Sequence, residues 1–190
     1  MIGLLLAYAR QRFPLRVFVP VFGALTVLAC WTTASPMLSI EAGRAALLMT
    51  GLVVLLRVWD DLEDRDIDRV AQPERVLPQA PVGVFVSLQL AIGIGLGSLL
   101  LWSGSGGAAI GLAGLLVAAS VGYRVVRPRV SPAVWPYVLL LKYPAAVAMV
   151  AQASGPARSG RVLAAILLTY VGACAHEDLH TRTRRPHAQE

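Results

Sequence analysis

Six apolar runs, each close to the thickness of a bilayer's hydrocarbon core, constrain this chain more than any other feature. They fall at residues 15–34, 45–60, 82–102, 108–123, 133–152 and 162–178. A helix needs about 20 predominantly apolar residues to cross that core. The second, fourth and sixth runs are short by apolar count alone, so their polar ends must continue the helix toward the interface. In lipid every backbone N–H and C=O has to be satisfied internally, which makes the α-helix the form for runs of this kind. Apolar types make up 56% of the 190 residues and charged types 15%, where a soluble domain carries about 25% charge. The expected fold is therefore an all-α integral membrane protein. A single domain over residues 1–190 forms a bundle of about six transmembrane helices.

Short connections marked by Pro and Gly separate the runs, at Ser35-Pro36, Gly104 to Gly107, Pro128 and Pro132, and Gly155-Pro156. Basic residues orient them. Arg10, Arg12, Arg16, Arg65, Arg69, Arg75, Arg124, Arg127, Arg129, Arg182, Arg184 and Arg185 fall on one side, and Arg44, Arg158 and Arg161 on the other. Twelve against three predicts that the first side is cytoplasmic, with both termini there, in a multi-pass protein of the cytoplasmic membrane. The net charge of +6 is then topology, and nucleic-acid binding is not expected. Met1 to Ala9 precede the first arginines, the reverse of a secretory signal, so no cleavage is expected. Cys30 and Cys174 lie inside apolar runs and read as small hydrophobes. Gly93, Gly95 and Gly97, with Gly107, Gly111 and Gly114, are expected to let helices approach closely. Trp31, Trp102 and Trp135 near span ends read as interface anchors.

Six of the 11 acidic residues crowd into nine positions: Asp60, Asp61, Glu63, Asp64, Asp66 and Asp68. No topology rule asks for this, and clustered carboxylates repel. A solvated acidic turn is the plain account, but acids are scarce elsewhere in the chain. If the second helix continues through the cluster, Asp61, Asp64 and Asp68 share one face with Arg57. Mg²⁺ relieves such repulsion, prefers hard oxygen ligands and binds through carboxylates plus substrate phosphate. Arg69 and Arg75 follow in the next loop, and guanidinium suits a diphosphate because it donates two parallel hydrogen bonds. Lys142, an ammonium inside the fifth run, is a functional candidate by its position, with an internal ion pair as the other reading. His176 and His180, one turn apart, permit metal or base chemistry but are more often bystanders. Tyr137 and Tyr170 read as core packing or as the wall of a lipid pocket.

The segment from Leu56 to Asp68 resembles the first Asp-rich motif of UbiA-type intramembrane prenyltransferases. Asp60, Asp61, Asp64 and Asp68 match its acids in order, and Arg75-Val76-Leu77-Pro78 stands in for the family's Arg-Pro-Leu-Pro-like loop. The resemblance implies Mg²⁺-dependent transfer of an isoprenyl chain from its diphosphate to an acceptor at the cytoplasmic side. It implies Asp61, Asp64 and Asp68 as catalytic residues. Asp60, Asp61, Asp64 and Asp68 are the metal ligands, joined by Glu177 and Asp178 at the family's second acidic motif. Tyr123, Arg124 and Arg127 sit where the family often has a Tyr and a basic pair. The diphosphate set is then Arg57, Arg69, Arg75, Arg124, Arg127 and Lys142. Two departures stand out. Arg182 replaces the last acid of the second motif, and the family's final helices have no counterpart, so a partner subunit or self-association is expected to close the site.

Two other functions stay open, a membrane-embedded terpene cyclase and a non-catalytic relative acting as a lipid-binding or assembly subunit. Soluble isoprenyl diphosphate synthases share the Asp60 to Asp64 spacing, but their water-soluble fold is excluded by composition. CDP-alcohol phosphotransferases need an Asp-Gly that is absent here, because Arg65 follows Asp64.

Overall fold

A computed structural model of the chain describes residues 1–33 and 39–184, with side chains described as far as Leu179. The Ser35-Pro36 turn, Arg185, and the side chains of His180, Arg182 and Arg184 lie outside the described residues. Every regular element described is helical: α1 (Ile2–Arg12), α2 (Leu15–Thr32), α3 (Ile40–Glu63), α4 (Arg65–Ala71), α5 (Val76–Gln79), α6 (Val82–Trp102), α7 (Gly106–Val121), α8 (Trp135–Leu140), α9 (Lys142–Ala153) and α10 (Ser159–Arg184). A π turn over Gly122–Val126 and a 3-10 turn over Arg127–Arg129 extend α7.

Six helical stretches are long and apolar enough to cross a membrane: Leu15–Thr32, Ile40–Glu63, Val82–Trp102, Gly106–Arg129, Trp135–Ala153 and Ser159–Leu179. This is the architecture of a multi-pass membrane protein. The second, fourth and sixth spans do continue past their apolar runs, as expected.

Local chemistry accounts for the element ends. Ser39 caps α3, its hydroxyl accepting from the Ala42 amide at 3.1 Å. Pro14 and Pro81 stand at the N-caps of α2 and α6, where a missing N–H costs nothing. The fifth span is not one helix, because a turn at Leu141 divides α8 from α9. Pro144 explains the division, since it has no N–H to donate to the carbonyl four residues back. The second span ends at Asp64 (φ −90°, ψ 0°) rather than running through the acidic cluster. Beyond this joint, Asp66 and Asp68 open α4, where carboxylates complement the exposed amides of a helix start.

Helix α3 is the axis of the bundle. Half of its apolar window is buried (50%), against 11% for the fourth and sixth spans. Leu48, Leu52, Leu55 and Leu56 of α3 pack with Leu25 and Ala29 of α2, Leu96 and Leu100 of α6, and Val147 and Val150 of α9. A smaller cluster joins Tyr8 of α1 to Val58, Leu77, Ala80 and Phe85. The sequence reading assigned no element to α1.

The glycine expectation needs correction. Gly93, Gly95, Gly97 and Gly114 face open space, with nothing within 4 Å of an added Cβ. Helix α6 turns Leu96 and Leu100 to the core and its glycines outward. Close approach occurs at Gly107, beside Gln152, at Gly111, beside Met149, and most tightly at Gly51, where a Cβ would meet Leu96 Cδ2 at 2.7 Å. Gly51→Leu is therefore expected to destabilise the bundle by about 2 kcal/mol through overpacking, while Gly95→Ala leaves it unchanged or slightly firmer. Thermal unfolding in detergent checks this, and equal midpoints for Gly51→Leu and the parent would refute it. Trp135 is also corrected. It is buried with its ring edge-on to Tyr123, centroids 5.5 Å apart, so it packs inside the bundle. Trp102 (88% exposed) and Trp31 keep exposed positions that suit anchors.

Candidate functional site

The acids of the cluster lie at one end of the bundle, where α3 breaks into α4. A continuous helix would have stacked Asp61, Asp64 and Asp68 on one face. The joint at Asp64 spreads them instead, and each meets a cation from a different element. Asp61 is the most enclosed (3% exposed). Its Oδ2 accepts from Tyr8 Oη at 2.8 Å and from Arg12 Nε at 2.7 Å, while Oδ1 pairs with the other arm of the Arg12 guanidinium. Arg57, one turn back on α3, approaches the same Oδ1 at 3.7 Å, too far for a hydrogen bond. The bidentate Arg12 fork thus occupies both oxygens of Asp61. Burial, and after it the charge of Asp61, pushes the Tyr8 phenol far above its ordinary pKa, so Tyr8 remains a donor.

Asp60 points to the other side of α3. Tyr123 Oη donates to its Oδ1 at 2.7 Å, and Lys142 pairs with its Oδ2. The π turn makes this possible. One extra residue in the turn re-aims side chains, setting Tyr123 inward against Trp135. Arg127 then lies 5.5 Å above the Tyr123 ring. Its guanidinium is 2.7 Å from Asp64 Oδ1 but off the hydrogen-bonding axis, so that buried oxygen stays without a hydrogen bond. Asp68 Oδ2 pairs with Arg75 at 2.5 Å. Arg65 ties the loop down, donating to the carbonyls of Pro78 at 3.3 Å and Ala80 at 3.0 Å.

The structure thus gathers Arg57, Arg75, Arg127 and Lys142 around the motif acids, as candidates for anion binding. It does not bring in Arg69, which lies 3.6 Å from exposed Asp66. Arg124 is also elsewhere, in a separate cleft on the far side of α3. Glu177 and Asp178 do not join the cluster. Asp178 accepts from Tyr137, and His176 and Glu177 have interaction partners of their own. Tyr8 and Arg12 were missed by sequence reasoning, which counted Arg12 only for topology. Their signal was the one-turn spacing of a phenol and a guanidinium at the end of an apolar start, beside Arg10 and Gln11.

Five cations (Arg12, Arg57, Arg75, Arg127, Lys142) face four carboxylates (Asp60, Asp61, Asp64, Asp68), leaving a formal surplus of one positive charge. Among the described residues no three His, Cys, Asp or Glu converge as a ligand set. The donor chemistry still fits Mg²⁺ at two residues. Asp64 has an oxygen without a hydrogen bond, and Asp68 commits only Oδ2. Mg²⁺ commonly takes one or two carboxylates and completes its shell with water and phosphate. Asp61, with both oxygens held, fits a structural clamp better. An apolar cavity of about 450 Å³ opens beside the clamp, walled by Leu5, Tyr8, Phe13, Phe18, Val54 and Leu88.

Fold and site together define a class: a six-span helical membrane protein with a cluster of paired acids and bases at one end of its bundle. No protein-family model, curated protein or solved structure matches the chain.

Proposed function

We propose that the protein is a Mg²⁺-dependent intramembrane prenyltransferase of the UbiA type, moving an isoprenyl chain from its diphosphate to an acceptor. The observation that carries this reading is the pairing of hard carboxylates with cations beside an apolar cavity. Each carboxylate in the cluster has a cation beside it within the protein, and Arg12 and Arg57 share Asp61. Metal and diphosphate would exchange partners with that internal salt, carboxylates turning to Mg²⁺ and cations to the diphosphate. Asp64 and Asp68 would hold the Mg²⁺, which neutralises charge on the leaving diphosphate. Arg75, Arg127 and Lys142 then bind the diphosphate and stabilise the same charge. The bond from the allylic carbon to the diphosphate oxygen would break, the diphosphate leaving with the electron pair, and the acceptor would bond to that carbon and give up its proton to the departing diphosphate. Apolar walls keep water from the allylic cation.

The arginine bias of twelve to three supports a cytoplasmic site with both termini on that side. The exposed fourth and sixth spans suit self-association or a partner subunit. Calorimetry of geranylgeranyl diphosphate on the detergent-purified protein tests the proposal. The expected result is binding at least about tenfold tighter with Mg²⁺ than without it. Absence of binding in both conditions, with shorter and longer prenyl diphosphates as controls, would favour the lipid-binding or assembly subunit.

A further inference from the structure

The cleft that takes Arg124 is separate from the acidic site. It opens between α3, α6 and α7, holds about 460 Å³, and is lined by Leu55, Trp59, Glu63, Gln89, Leu90 and Arg124 among others. Leu55, Trp59 and Glu63 fall on one stripe of α3 at successive turns, away from Asp61. The cleft opens outward, since Leu90 is 59% exposed and Ile94 68%. In a membrane-spanning bundle that direction is lipid.

Its charge is graded along the membrane normal, with the uncharged Gln89 beside Leu90 deeper in. Glu63 closes α3 and Arg124 sits in the π turn, both at the end of the bundle that carries the acidic cluster. Leu55 and Leu90 lie deeper. Trp59 stands between, its indole N–H buried without a hydrogen-bond partner. Trp is favoured at this interfacial level because its ring is apolar and its N–H polar. Neither Glu63 nor Arg124 joins any ion pair among the described residues. One cleft thus holds a carboxylate and a guanidinium that join no described ion pair, above a floor that is apolar apart from Gln89.

We propose that this cleft binds a phospholipid whose headgroup carries both a phosphate and an ammonium, with the phosphate on Arg124, the ammonium on Glu63 and an acyl chain along Leu55 and Leu90. An acidic lipid would satisfy Arg124 but bring its phosphate beside Glu63, where like charges repel. A zwitterionic headgroup satisfies both side chains with charge-assisted hydrogen bonds.

The test is native mass spectrometry of the detergent-purified full chain, titrated with phosphatidylethanolamine or phosphatidylglycerol of identical acyl chains. The expected preference for phosphatidylethanolamine is about fivefold, the worth of one interfacial ion pair. Glu63→Gln should erase the preference, and Arg124→Gln should weaken both lipids. Neither residue holds an ion pair among the described residues, so both variants are expected to fold. Gly93→Leu is a second variant. A Cβ there meets nothing within 4 Å and Gly93 lines the cleft, so the leucine should occupy cleft space and lower retention of phosphatidylethanolamine. Equal retention of the two lipids by the parent, or a preference that survives Glu63→Gln, overturns the proposal.

Discussion

Arg12→Ala is expected to destabilise the protein by about 3 kcal/mol, because it leaves the buried Asp61 carboxylate without its main counter-ion. The pair is well enclosed, with side chains 13% and 4% exposed. Tyr8 would still donate one hydrogen bond to Asp61, and Arg57 at 3.7 Å offers only partial compensation. Asp61→Ala should cost a similar amount by stranding Arg12. The double replacement should recover most of either loss, since removing both charges also removes the desolvation cost. Reversible unfolding of the four proteins in mixed micelles measures the coupling. Additive losses would mean that the clamp contributes nothing and that α1 is held by the Tyr8–Phe85 cluster and by the Gln11 side chain on Val76.

Asp64→Asn and Asp68→Asn should act on ligand binding, with stability nearly intact for the partly exposed Asp64 and lowered by about 1 kcal/mol for Asp68, which is buried and paired with Arg75. Under the proposed function each removes a metal carboxylate. Each also frees a cation, Arg127 or Arg75, that its acid had engaged. Binding of geranylgeranyl diphosphate without Mg²⁺ should therefore persist or strengthen, while the gain from Mg²⁺ collapses. The ratio of affinities with and without the metal is expected to fall by at least about tenfold, toward one. Calorimetry of each variant at matched Mg²⁺ checks it. An unchanged ratio would remove these two acids from any metal site and leave them as salt-bridge partners alone.

These two outcomes divide residues that look equivalent in the sequence. Asp61 and Asp64 are three positions apart in one acidic run, and nothing in their spacing separates a structural clamp from an open ligand. What separates them is a neighbour far along the chain: Arg12, 49 residues from Asp61, against Arg127, which meets Asp64 off-axis. The π turn after α7 is similar. It sends Tyr123 into the site and Arg124 out of it, and no pattern in Gly122 to Val126 announces that extra residue. The outward turn of Gly93, Gly95 and Gly97 was hidden for a related reason. In a helix that is apolar on every side, composition does not say which face meets protein and which meets lipid.

By itself the sequence determined the six spans, the all-helical class and the place of the acidic cluster at a helix end. Those follow from local rules, because a bilayer demands about 20 apolar residues per crossing and leaves no backbone group unpaired. Only the tertiary structure decided which carboxylate meets which cation, that α1 folds back onto Asp61, and that Arg124 belongs to a different cleft. Charge pairing is a contact between elements distant in sequence, and its strength depends on the burial and aim of two side chains brought together by packing alone.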